Sequence, residues 1–412
     1  MAWKNLTNNP RRLMLAVAGV GFAAILMFTQ NGFRNALLDS PIVLVQRMQC
    51  DLVAISPARY MLPDDQQFNR QHLRRAKADP DVLAAEPLLI ERWTARVRVS
   101  GNPARPIRVL SVPESEFVRR SQQSVPTRQL ESAPKTRVPR SKRVPWMSLD
   151  GLDADALRAL TRPHAGLVDR KTRQEYGFAL DEPGELTSQW VELSGKRIEL
   201  VGTVTLGTDF ANEGTLIIRE SAFADYFPYR GNRQPLEVVD LGMIRLRPGA
   251  DHEEVAARLT RLAPEQWEVL TRDALKKREQ SFWQSQTPVG KIFFIGTVMG
   301  FAVGIIICYQ ILFTSLQDAM PEFATLKAMG YPNRFFVTLV VRQSTYLSLL
   351  GFVPAVAVTL VLFRVLEGYS GLPMLLTVER ALTVLGLTTL MCLISGLLAL
   401  RKLLNADPAS LF

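Results

Sequence analysis

The chain has 412 residues, 47% of them hydrophobic and 21% charged, with a formal net charge of +10 at neutral pH. Those averages would suit a soluble protein, but the apolar residues gather at the two ends of the chain, which excludes one ordinary globular core. Cys308 and Cys392 lie in apolar runs and leave Cys50 alone in the charged middle, which excludes an internal disulfide framework there. His72, His164 and His252 are scattered without ligand-spaced partners and give no metal site.

In chain order, residues 1–12 form a basic leader and 13–30 the first uncharged apolar run. At 1.5 Å per residue a helix of that length covers roughly 27 Å, close to the hydrocarbon thickness of a bilayer. Lys4, Arg11 and Arg12 precede the run as they would in a signal peptide. The run is longer than a signal h-region and no A-x-A-like site follows it, so it reads as a retained anchor.

Residues 31–290 read as a large α+β domain. Alternation and β-branched content predict strands at 51–56, 93–99, 107–112, 190–206, 215–218 and 241–246, with Ser194-Gly195-Lys196 as a hairpin turn. Apolar spacing predicts helices directly after the first span, at 69–78, at 251–262 and at 273–286, the last ended by Thr287-Pro288. The helices flanking the domain read either as a stalk or as surface-lying amphipathic segments. A basic, proline-containing stretch at 119–145 interrupts the domain and suggests two lobes. It reads either as a solvated linker or as a dock for anionic headgroups or an acidic partner.

Three further apolar runs follow, at 291–313, 335–363 and 381–400. Gly296, Gly300 and Gly304 recur every four residues in the second span, the spacing that lets helices approach closely in lipid. Gly351 and Pro354 interrupt the third, where a kink is expected. The fold class is therefore a membrane protein of four transmembrane α-helices with a large α+β extracytoplasmic domain between spans 1 and 2. Lys and Arg in the short flanks place 1–12, 314–334 and 401–412 in the cytoplasm, with 31–290 and 364–380 outside.

Motifs for chemistry are missing from the sequence. There is no phosphate loop, no nucleophile elbow and no H-E-x-x-H, and the spans hold no central carboxylate for ion coupling. No catalytic residue, metal or cofactor is expected. The basic balance is read as membrane-directed, with no nucleic-acid motif beside it.

The opening AWKNLTNNPRRLMLAVAGVGFAAILMFTQNGFRNALLDS resembles that of the DevC family of heterocyst-type ABC exporter permeases, within the MacB/FtsX/LolC superfamily. The segments GLVDRKTRQEYG, VELSGKRIELVGTVTLGTDFANEGTLI, LGMIRLRPGAD and the ending ADPASLF are similar too. The loop PEFATLKAMGYPNRFF looks like the superfamily's coupling helix, with Glu322, Lys327 and Gly330 at its acidic, basic and glycine positions and Phe323, Thr325, Leu326 and Met329 among them. Read without the family, the same loop is an ordinary interfacial helix. The stretch 119–145 has no counterpart that can be placed.

The resemblance implies a non-enzymatic permease subunit in the inner membrane, paired with a separate ABC ATPase, acting as a homodimer in membrane lipid. It further implies a membrane-fusion adaptor, an outer-membrane channel and export of an amphiphilic, glycolipid-like cargo. An FtsX-like module that activates a cell-wall hydrolase without transport shares the same layout and is the alternative.

Overall fold

The computed structural model describes residues 10–121, 145–180, 188–370, 374 and 376–404; the backbone alone is described at Arg12, 118–121, Val289, 322–324, Ala328, Ser370 and 403–404. Residues 122–144, most of the basic stretch, lie outside that range. Helix α1 runs unbroken over Pro10–Asp39, beyond the apolar run that defines the first span, and α2 (Val43–Arg47) follows it.

Leu37–Gln286 form one unit. Its first sheet is four-stranded and antiparallel, in the order β14 (Glu268–Thr271), β1 (Leu52–Ile55), β13 (Leu241–Leu246), β3 (Val82–Leu88). Helix α3 (Gln71–Ala76) joins β1 to β3 and α6 (His252–Thr260) joins β13 to β14, a split β-α-β arrangement. β1 sits between two partners and all four of its residues are buried, hence its continuous Leu-Val-Ala-Ile rather than an alternating pattern. Asp251 caps α6 by accepting from the N–H groups of Glu253 and Glu254 at 2.9 and 3.2 Å. Trp267 is fully buried, donates its indole N–H to the Leu259 carbonyl at 3.1 Å, and stacks on His72.

The second sheet is inserted between β3 and β13. Its eight strands lie in the order β4 (Ile90–Glu91), β7 (Arg108–Val112), β11 (Thr215–Arg219), β8 (Ala165–Asp169), β10 (Lys196–Val204), β9 (Gln189–Leu193), β5 (Arg96–Arg98), β6 (Arg105–Pro106). The β9–β10 hairpin turns at Ser194 and Gly195, whose φ values of 50° and 84° match the left-handed pair a tight two-residue turn needs. Helices α4 (Glu114–Ser121) and α5 (Ala154–Ala159) stand on either side of residues 122–144.

Both sheets draw strands from each side of the basic stretch: β7 before it pairs in parallel with β11 after it. The expected division into lobes at 119–145 is therefore not where the chain divides. The chain crosses between the sheets after β3 and returns between β11 and β12 (Val238–Val239), which pairs with Phe68–Asn69 just ahead of α3. Helix α7 (Arg272–Ser281) closes the unit and passes into a π-helical turn at Phe282–Gln286. The expected single helix over 273–286 is thus α7 plus this turn.

The other unit consists of the long apolar helices. Besides α1 these are α8 (Pro288–Asp318), α10 (Asn333–Ser370) and α11 (Val378–Leu404), with the short α9 (Met320–Ala328) between α8 and α10. Thr287, expected only as a helix stop, caps α8 by accepting from Gly290 N–H at 3.4 Å, and Pro288 occupies its first turn, where no amide partner is needed. Four of these helices are long and apolar enough to cross a bilayer. Pro354 lies inside α10 without ending it.

Candidate functional site

Helix α9 and the turn after it form an elbow between the second and third spans. Pro321 sits in the first turn of α9, and the Thr325 hydroxyl donates to its carbonyl at 2.8 Å. At the other end the Gly330 N–H donates to Lys327 O at 3.0 Å and the Tyr331 N–H donates to Leu326 O at 3.2 Å. That pair of bonds is a Schellman closure, and it requires the left-handed φ of +86° found at Gly330. No atom lies within 4 Å of where a Cβ would be, so glycine is needed there for its backbone and not for space. Pro332 follows, then α10 begins.

Leu326, Met320 and Phe335 are half-buried against the core of the helical unit, and Phe336 is fully buried in it. The Tyr331 and Phe335 rings meet at 4.8 Å. These contacts seat the elbow. Thr325, Lys327, Met329, Gly330 and Tyr331 face outward, and Met329 and Tyr331 are large apolar side chains left 63% and 43% exposed. Glu322 and Phe323 fall in the first half of α9.

The elbow's depth follows from the charge pattern. Residues 343–363 of α10 carry no charge between Arg342 and Arg364, and at 1.5 Å per residue they cover about 31 Å, one hydrocarbon thickness. The Gln343 amide donates to Ser315 Oγ at 3.4 Å, which brings α8 level with that boundary at Ser315. α9 and the first turns of α10, the latter about 13 Å of helix, precede that uncharged run.

The glycine positions of α8 face α1 and α11. A side-chain carbon at Gly296 would meet Gln30 at 2.6 Å, and one at Gly304 would collide with Met391 Sδ and stand 3.1 Å from Ala23. At Gly300 the nearest atoms, on Leu26 and Met27, are 4.0 Å away. Close approach is thus sharpest at Gly304. Cys308 and Cys392 face each other at 3.8 Å, Ser395 Oγ donates to Ile305 O at 2.8 Å, and Ser348 and Thr389 hydroxyls meet at 3.2 Å. Most hydroxyls in this bundle bond neighbouring helices or their own backbones, while those of Ser344 and Thr359 are buried without a partner among the described residues.

Sequence reasoning missed a buried charge network in the other unit. Asp240, just before β13, accepts from Arg59 at 2.8 Å, from the Ile90 N–H at 2.7 Å and from Arg230. Arg59 also donates to the carbonyls of Leu62 and Gln66, which holds the loop after β1. Helix α7 docks on the same loop: Arg278 donates to Arg59 O at 3.0 Å, and the Leu62 N–H donates to Glu279 at 2.9 Å. Glu279 is 1% exposed, and burial pushes its carboxyl up to about 7 despite the N–H donors of Trp283 and Leu62. The partners lie up to 219 positions apart in sequence, so spacing offered no signal. The local exception is Glu279 with Trp283, an i, i+4 pair. Among the described residues no cluster of three or more His, Cys, Asp or Glu is placed to hold a metal.

Residues 292–408, from the start of α8 to the tail, match the FtsX-like permease C-terminal family. No curated protein matches the chain in sequence. Two solved structures are similar over the domain. One is the extracellular domain of YknZ, a noncanonic ABC-type transporter from Gram-positive bacteria, at 12% identity and a TM-score of 0.32, covering 54% of this chain and 98% of that one. The other is the periplasmic region of MacB from Actinobacillus actinomycetemcomitans, at 9% identity and a TM-score of 0.34, covering 57% and 94%.

Proposed function

We infer that the chain is the permease subunit of an ABC exporter, in which a separate ATPase grips the α9 elbow and the spans carry its movement to the extracytoplasmic domain. The observation that carries this reading is the elbow itself. A helix closed by a Schellman turn and seated by Leu326 and Phe336 is rigid, and it leaves Met329 and Tyr331 exposed inside the segment that matches the FtsX-like family. Exposed apolar anchors on a short rigid helix fit a groove in a partner protein. The elbow is covalently continuous with α8, which follows directly on α7 and its π-turn, and α1, packed in the same bundle, continues to Asp39. The bundle's long helices are apolar with no central carboxylate, which suits a lever more than a water-filled pore.

In this reading a homodimer of the chain works in the inner membrane, with its large domain in the periplasm. An adaptor and an outer-membrane channel complete the exporter, and an amphiphilic cargo is driven from the periplasmic side without crossing the bundle. The DevC-like segments support export over the hydrolase-activating alternative. Affinity purification from native membranes after mild cross-linking tests it. Recovery of an ATPase with a membrane-fusion adaptor is the expected result. An ATPase with a cell-wall hydrolase and no adaptor would replace export by mechanotransmission, and absence of any ATPase would overturn both.

A further inference from the structure

Arg342 is the first charge below the uncharged run of α10, and it is exposed. Among the described residues its side chain forms no ion pair and no hydrogen bond, and the same is true of the Arg334 side chain two turns earlier. Helical side chains lean toward the helix N-terminus, so the Arg342 guanidinium reaches back toward the water boundary on the elbow side, beside Thr338. Above it the same face of α10 presents Tyr346, Leu349 and Val353, at i+4, i+7 and i+11, with Leu349 45% and Val353 68% exposed. From Arg342 to Val353 is about 16 Å along the axis, close to the acyl depth of one leaflet.

We propose that this stripe is a binding site for one anionic phospholipid of the leaflet on the α9 side: Arg342 takes the headgroup phosphate, and Tyr346, Leu349 and Val353 line an acyl chain. The unpaired guanidinium calls for a phosphate, which it can bind through two parallel N–H bonds. Arg334, Arg401 and Lys402 lie at the same end of the unit and repel the cationic headgroup of a zwitterionic lipid. A second copy of the chain is the poorer occupant. A two-fold contact along this stripe sets Arg342 against its own counterpart at the same depth, and the stripe itself carries no carboxylate to offset the repulsion.

The test uses the full chain in nanodiscs of equimolar phosphatidylglycerol and phosphatidylcholine, followed by detergent extraction and mass spectrometry of the lipid retained. Phosphatidylglycerol should be enriched, and Arg342→Gln should cut that enrichment about fivefold, the factor expected for one basic residue near an anionic surface. Arg364→Gln, at the far end of the same uncharged run, should leave it unchanged, and Arg342→Lys should keep part of it. A photo-reactive residue at Leu349 in the otherwise native chain should label lipid. Equal enrichment in Arg342→Gln and the parent chain, or chain-to-chain labelling from position 349, would overturn the proposal.

Discussion

The Glu279 carboxylate accepts the Trp283 indole N–H at 2.8 Å, one turn apart at the point where α7 gives way to the π-turn leading to the second span. Its other oxygen holds the Leu62 N–H at 2.9 Å, so both oxygens are committed to donors in a buried site. Groups facing it from other elements are Arg59 and Asp209, of opposite sign, and their net effect is smaller than that of burial.

A carboxyl raised from 4.5 to about 7 binds its proton more tightly in the folded protein. Its contribution to stability is therefore fully present below pH 4.5 and is lost as pH rises through 7. The difference is on the order of 3 kcal/mol at 1.36 kcal/mol per pKa unit. Thermal unfolding of the detergent-solubilised chain should show a domain transition that rises between pH 8 and pH 5, and Glu279→Gln should flatten that rise. Parallel pH profiles for the two proteins would refute the assignment.

Gly330 is held at a φ of +86° with open space around it, so substitutions there should rank by left-handed propensity alone. Gly330→Asn should be mild, Gly330→Ala should cost about 1 kcal/mol, and Gly330→Leu should unwind the elbow. Transport-linked ATPase activity in reconstituted complexes should fall in that order, with Glu322→Arg as low as Gly330→Leu, while membrane insertion stays intact. Full activity in both Gly330→Leu and Glu322→Arg would remove α9 from the coupling path.

Met329 and Leu326 separate binding from seating. Met329→Asp changes a side chain that is mostly exposed, so the protein's melting temperature should hold within about 1–2 °C while ATPase co-purification is lost. Leu326→Ala removes a seated contact and should lower stability by about 1–2 kcal/mol. If Met329→Asp retains the ATPase, the outward face of α9 is not the docking surface.

The three glycines of α8 should respond unequally to alanine. Gly304→Ala drives a methyl into Met391 and Ala23 and should destabilise by about 1–3 kcal/mol. At Gly296 the neighbour is the flexible end of Gln30, and the effect should be smaller. Gly300→Ala meets nothing closer than 4.0 Å and should be neutral, or stabilising by up to about 1 kcal/mol through helix propensity. Melting curves in detergent check the order, and equal losses at all three would rule out a graded seam.

Features set by local rules were legible in the chain alone. Lipid cannot hydrogen-bond a bare backbone, so each uncharged run of span length had to become a helix whatever it packs against. The Ser194-Gly195 turn, the Asp251 cap and the Gly330 stop likewise depend on residues within five positions of each other. Strands β3, β8 and β14 escaped notice because their burial comes from neighbours across the sheet rather than from an alternating pattern of their own.

The glycine spacing of α8 marked a seam but could not grade it, since only the opposing Met391 and Gln30 decide how much room each position has. The tertiary structure alone brought Arg59, Arg230 and Asp240 together, and it alone set Glu279 under the loop at Leu62. Pairing between distant charges depends on which strands the fold makes neighbours, and no short-range pattern encodes that. Sequence thus determined where this chain crosses the membrane and where its helices stop. Tertiary structure decided which polar groups are buried, and with them where protonation and close packing act.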